Sequence, residues 1–97
     1  MSKTEIPSRE SAEVLAIQAL SYLAQEPDQL SRFLALSGID PGAIRAAAAQ
    51  PEFLAGVLAY LAQDEALLVR FAAEVGVPPG TVEQARTVLA GHDRAAP

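Results

Sequence analysis

The chain has no cysteine and no tryptophan, and its one histidine, His92, falls in the last six residues. The absence of cysteine excludes disulfides and thiolate chemistry. A single histidine gives neither a catalytic triad nor a histidine metal site enough members. No glycine-rich phosphate loop is present. Aromatic residues are only 5% of the 97 residues, while hydrophobic residues are 51%, so the apolar content is mostly Ala and Leu. That composition favours closely packed helices and opposes disorder. Basic residues are also scarce. There are 7 against 12 acidic ones, for a net charge of -5, and Lys3, Arg9 and Arg94 lie near the ends. The balance disfavours nucleic acid and anionic membranes as partners. The longest apolar stretch, residues 14–24, is interrupted by Gln18 and Ser21 and is too short to span a bilayer. Residues 1–9 lack the apolar stretch of a signal peptide, so a cytoplasmic location is expected.

What the sequence does have is self-similarity. Shifted by 38 residues, residues 20–47 align without a gap on 58–85, with 13 identities in 28 positions. The pairs include Tyr22/Tyr60, Gln25/Gln63, Arg32/Arg70, Phe33/Phe71, Gly38/Gly76, Pro41/Pro79 and Gly42/Gly80. Low complexity aligns alanines, but it does not align Tyr, Arg, Phe, Gly and a Pro-Gly pair in register. The expected fold class is therefore all-α: a compact bundle of about six helices built from two three-helix repeats offset by 38 residues. The expected organisation is a single helical domain over 1–97, with flexible ends at 1–8 and 92–97.

Start and stop signals place the helices. Ser8 or Ser11 caps the first, which runs to about Gln25, is apolar nearly all round and is expected to be mostly buried. Its polar stripe is Gln18, Ser21 and Gln25. Pro27 opens a second helix with an apolar face of Leu30, Phe33 and Leu34, and Gly38 ends it in a left-handed cap. Asp40-Pro41 starts a third, carrying Ile44 and the alanine run 46–49, a surface suited to close helix packing. Pro51 opens a fourth, to about Ala62. Its stripe of Glu52, Gly56, Ala59 and Gln63, set against Ser21, suggests a close crossing of the first and fourth helices. Asp64 caps a fifth with Leu67 or Leu68, Phe71, Ala72 and Val75 on its apolar face, and Gly76 ends it. Pro78-Pro79 opens a sixth, carrying Val82, Ala85, Val88 and Leu89 and ending near Gly91. No segment alternates with period two, so no strand is expected.

Four features bear on function, each with a structural reading beside it. Residues 71–86 outline a helix-turn-helix: Ala72 lies four before Gly76 and Val82 six after it. Any tight helix-Gly-helix corner has these requirements, and the helix that would read DNA offers only Thr81, Glu83, Gln84 and Arg86. Arg32 and Arg70 recur in both copies, either as helix anchors paired to Asp28 and Glu74 or as symmetry-related partner contacts. Leu36 and Val69 lie off the apolar faces of their helices, where a lone domain more often places polar residues. The acidic pairs Glu26/Asp28 and Asp64/Glu65 sit at helix starts, where capping explains them better than acid-base or metal chemistry.

Residues 32–41 (Arg-Phe-Leu-Ala-Leu-Ser-Gly-Ile-Asp-Pro), Ile44-Arg45, Phe53-Leu54 and residues 64–68 (Asp-Glu-Ala-Leu-Leu) together resemble a small bacterial family, domain of unknown function 3572, over roughly 14–91. The resemblance implies a short, all-helical cytoplasmic protein and hints at a signalling partner. It carries over no activity, cofactor or catalytic residue. The expectation is a non-enzymatic protein-interaction module or small signalling accessory protein, binding a protein partner or a second copy. No catalytic, cofactor-binding or metal residue is expected, nor nucleic acid or membrane. The candidate partner contacts are Arg32, Leu36, Val69 and Arg70. The alternative is a divergent helix-turn-helix DNA-binding regulator.

Overall fold

Prolines, short polar caps and two glycines punctuate the chain into helices. The computed structural model describes residues 7–91. It has α1 over Arg9–Ala24, α2 over Pro27–Ser37, α3 over Ile44–Ala47, α4 over Pro51–Gln63, α5 over Glu65–Val75 and α6 over Pro79–Gly91. A 3-10 turn, Pro41–Ala43, leads into α3, and no strand occurs among the described residues. The expectations placed on His92 and on the extreme ends lie outside the described residues. Of the two caps expected for the first helix, Ser8 is the N-cap of α1. Its side chain accepts from the Ser11 amide at 3.0 Å, satisfying a donor the helix leaves unpaired.

Pro27, Pro41, Pro51 and Pro79 each open a helical segment, where a missing N–H costs nothing. The carboxylates of Asp40 and Asp64 accept from the amides of Gly42 and Leu67. Gly38 and Gly76 end α2 and α5 with φ of 75° and 78°, the left-handed conformation that L side chains avoid. At Gly76 the Val77 amide also reaches back to the Ala72 carbonyl at 3.0 Å, closing a Schellman cap. At Gly38 the equivalent amide, that of Ile39, is taken instead by the Ser37 hydroxyl at 3.3 Å.

The core gathers around α4. Leu54, Ala55, Val57, Leu58 and Leu61 of this helix are buried, and it packs against α6, α1, α5 and α2. α1 contributes Ala12, Ala16, Ala19 and Leu23, at i, i+4, i+7 and i+11, all fully buried. α6 contributes Val82, Ala85 and Leu89 and packs on both α4 and α1. Phe33 of α2 and Phe71 of α5 anchor the flanking helices in the same cluster, and among the described residues no polar or charged side chain is buried.

Three expectations need correction. First, α1 is not mostly buried. Val14 and Ile17 are exposed, because α4 and α6 cover only its alanine side. Second, the small residues at the core of α1 are Ala12, Ala16 and Ala19, whereas Ser21 faces solvent. Third, the two three-helix windows are not equivalent units. Their element order and glycine corners correspond, but α3 is a single turn with no buried residue, while α6 runs thirteen residues into the core. Pro51 is the physical reason. It holds Gln50 at an extended φ of -100° and ψ of 125°, so the helix that ends at Ala47, six residues after Pro41, cannot run on into α4. No proline follows Pro79 within α6.

Two stability tests follow. Gly76→Ala should lower the unfolding free energy by about 1 kcal/mol, through the strain of positive φ. Gly80→Ala, within α6 and with no atom within 4 Å of the new methyl, should not. Ala16→Leu should cost roughly 1–3 kcal/mol by overpacking, and Ser21→Leu less than about 0.5 kcal/mol. Denaturant midpoints measure all four. An Ala16→Leu midpoint equal to the native one would show that α1 is packed differently.

Candidate functional site

The truncated α3 leaves the outer side of α4 uncovered. Between α2, the 3-10 turn with α3, and α4 lies an open groove with two lobes. The larger, of about 560 Å³, is walled by Ile39, Ala43, Ala46, Ala47 and Gln50 on one side and Glu52 and Phe53 on the other. The smaller, of about 190 Å³, is lined by Leu36, Ala59, Tyr60 and Gln63. Phe33, Ser37 and Gly56 belong to both. The lining is mostly apolar or small, with Gln50 and Gln63 polar and Glu52 its one charged residue.

The floor is aromatic. Phe33 meets Phe53 with ring centroids 5.6 Å apart at 62°, and Tyr60 at 5.4 Å and 66°. These edge-to-face contacts are worth about 0.5–1.5 kcal/mol each beyond area burial. The Tyr60 hydroxyl donates to Oε1 of Gln29 at 2.7 Å, tying α4 to α2 at the edge of the groove. The aromatic set therefore fixes the spacing of the two walls. Between them Gly56 has no atom within 4 Å of where a Cβ would stand. An approaching chain can reach the backbone of α4 there.

This site was only partly visible in the sequence. The stripe Glu52, Gly56, Ala59, Gln63 stands out in the sequence, where its small residues suggest a crossing with α1. Glu52, Gly56 and Gln63 instead line the groove on the opposite side of α4 from buried Leu54, Leu58 and Leu61. Ile39, Ala43 and Phe53 carried no signal for a site. A glycine inside an otherwise strong helix former was the available clue, because it costs stability there.

The four sequence candidates are all exposed but are not brought together. Leu36, 70% exposed, stands on the groove wall with Arg32 one turn before it on α2. Val69, 47% exposed, and Arg70 lie on α5 away from the groove. Among the described residues neither Arg32 nor Arg70 forms an ion pair or side-chain hydrogen bond, and the expected pairs with Asp28 and Glu74 are not made. A second hollow, of about 410 Å³, lies between the start of α1 and Val77-Thr81, and Pro7 borders it.

The α5-Gly76-α6 corner is the helix-turn-helix outline seen in the sequence. Its second helix is committed to packing through Val82, Ala85 and Leu89. Both Nε and a terminal nitrogen of Arg86 hold Oε1 of Glu83, at 3.1 and 3.0 Å. Among the described residues no cluster of His, Asp and Glu is placed to hold a metal ion, and no helix is long and apolar enough to cross a membrane.

The groove makes two checkable statements about energetics. Gly56→Ala should raise the unfolding free energy by about 1 kcal/mol, since it adds helix propensity and meets open space. Tyr60→Phe should lower it by about 0.5–1.5 kcal/mol through loss of the bond to Gln29. Thermal or denaturant unfolding reads both. A destabilised Gly56→Ala would mean that something already fills the space above α4.

Comparison with known proteins adds one assignment. No curated protein and no solved structure matches the chain. A family model described as a protein of unknown function (DUF3572) matches residues 9–92. With most of its length matched, including all six helices and both glycine corners, the chain belongs to that family.

Proposed function

We propose that this protein is a non-enzymatic protein-interaction module whose binding surface is the groove between α2, α3 and α4. The observation that carries this reading is the exposed Leu36 at the wall of an apolar, aromatic-floored groove. A small domain more often keeps such a surface covered, and contiguous exposed apolar surface marks interaction sites. The groove is shallow and elongated along α4, with Gly56 and Ala59 in its floor, and so suits a helix laid along it. Its lining offers no nucleophile beside a base and only one carboxylate, which supports binding over catalysis. The cytoplasm, expected from the sequence, is where such a module would meet its partner, in keeping with the role of a small signalling accessory protein.

The reading is tested by affinity capture from a lysate of the native host with three baits: the native chain, Leu36→Glu and Val69→Glu. The two substitutions place the same charge on exposed positions of different surfaces. Circular dichroism should show equal helicity for all three. Leu36→Glu should lose the proteins that the native chain and Val69→Glu retain. Identical recoveries with Leu36→Glu would remove the groove as the binding surface. Recovery of DNA fragments that survive washing at physiological salt would favour the regulator reading instead.

A further inference from the structure

We propose that the groove closes on a second copy of this chain, forming a two-fold dimer in which Leu36 of each copy enters the groove of the other. This rests on the groove being an interaction surface, and it names the occupant.

A two-fold interface uses the same patch on both partners, so one face must carry both a projection and its complement. This face does. Leu36, at 70% exposure, is the most exposed large hydrophobic residue among those described. It stands on the wall of the hollow it would fill in a neighbour, beside the open backbone of Gly56. The α1 and α5 surfaces offer exposed apolar residues as well, Val14, Ile17 and Val69. Val69 lines none of the three hollows described above, and the hollow next to Val14 is bordered by Pro7, at the limit of the described residues.

The charges on the face are complementary to themselves. Glu52, the one charged residue in the lining, lies one turn before Gly56 on α4 and also takes part in an interaction within its own chain. Arg32 lies one turn before Leu36 on α2 and is exposed without an ion pair among the described residues. When Leu36 rests over Gly56 of the second copy with the two helices running the same way, Arg32 rests over Glu52 of that copy. Symmetry makes the pair twice, which offsets part of the repulsion between two chains of net charge -5.

Area sets the strength. Ten residues line one lobe, seven the other and three are shared, fourteen in all. A standard stable interface takes roughly 20–30 residues and about 800 Å² per side, about a seventh of this chain's 5876 Å². The groove alone falls below that, so the dimer dissociates in the range of roughly micromolar or weaker.

Sedimentation equilibrium of the full chain, from about one micromolar to about one millimolar, tests this directly. The expected result is a reversible rise from monomer to dimer mass, abolished by Leu36→Glu and unchanged by Val69→Glu. Arg32→Glu and Glu52→Arg should each weaken association at least about tenfold, since each sets like charges together. An equimolar mixture of the two should associate as tightly as the native chain, because each pair is then opposite in sign. Unfolding curves on each variant separate lost association from lost folding. A monomer at every concentration overturns the dimer. If Leu36→Glu nevertheless loses its captured proteins, the interaction-module reading stands with another occupant. A dimer broken by Val69→Glu and not by Leu36→Glu overturns the inference by placing the contact on α5. Failure of the mixture to recover association overturns the parallel pairing of α2 with α4.

Discussion

Everything in this fold follows from the need to cover α4. Apart from Glu52 at one end and Gln63 at the other, its side chains offer water little beyond the Tyr60 hydroxyl. A helix apolar on most of its circumference needs neighbours on several sides. α1 takes one side through a surface rich in alanine, where axes can approach closely, and α6 joins it through Val82, Ala85 and Leu89. α2 and α5 close the flanks with one phenylalanine each. Among the described residues no further long helix is available, and the remaining side of α4 becomes the floor of the groove. The binding surface is thus the remainder of the packing problem that builds the core.

The two prolines around the alanine run decide where that remainder falls. The segment between Pro41 and Pro51 is rich in alanine and is a good helix former on propensity alone. Pro51 stops it early, and a single α-helical turn after a 3-10 turn has too little apolar surface to enter the core. It stays on the rim, where Ala43, Ala46 and Ala47 become wall residues. The corresponding segment after Pro79 has no such stop, reaches Gly91 and takes a place beside α1 and α4. Similar sequences thus lead to one core helix and one rim segment.

Much of the fold was legible before any coordinates. The helix starts at Pro27, Pro51 and Pro79 and the left-handed glycines at 38 and 76 are local consequences of backbone chemistry, and local chemistry reads directly from sequence. So do the anchors Phe33 and Phe71, each at the head of a helical apolar face. The exposure of Leu36 and Val69 was legible for the same reason, as departures from a periodic pattern. What was not legible depends on which helix meets which. An alanine stripe and a glycine stripe are equally fit to cross a neighbour, and sequence spacing does not say which one does. For that reason the small face of α4 was matched to α1, while the true contact surface of α1 is Ala12, Ala16 and Ala19. The groove was out of reach for the same reason, since it depends on a helix that fails to arrive.

The wholly apolar interior carries a further consequence. With no buried polar or charged side chain among the described residues, the free energy that holds α1, α4 and α6 together is almost entirely that of removing hydrocarbon from water. Near room temperature that term is entropic, and it weakens on cooling. The bundle is held least tightly at the cold end of its range as well as at the hot end. Leu36 in its groove obeys the same law, so a contact made there loosens in the cold together with the core that presents it.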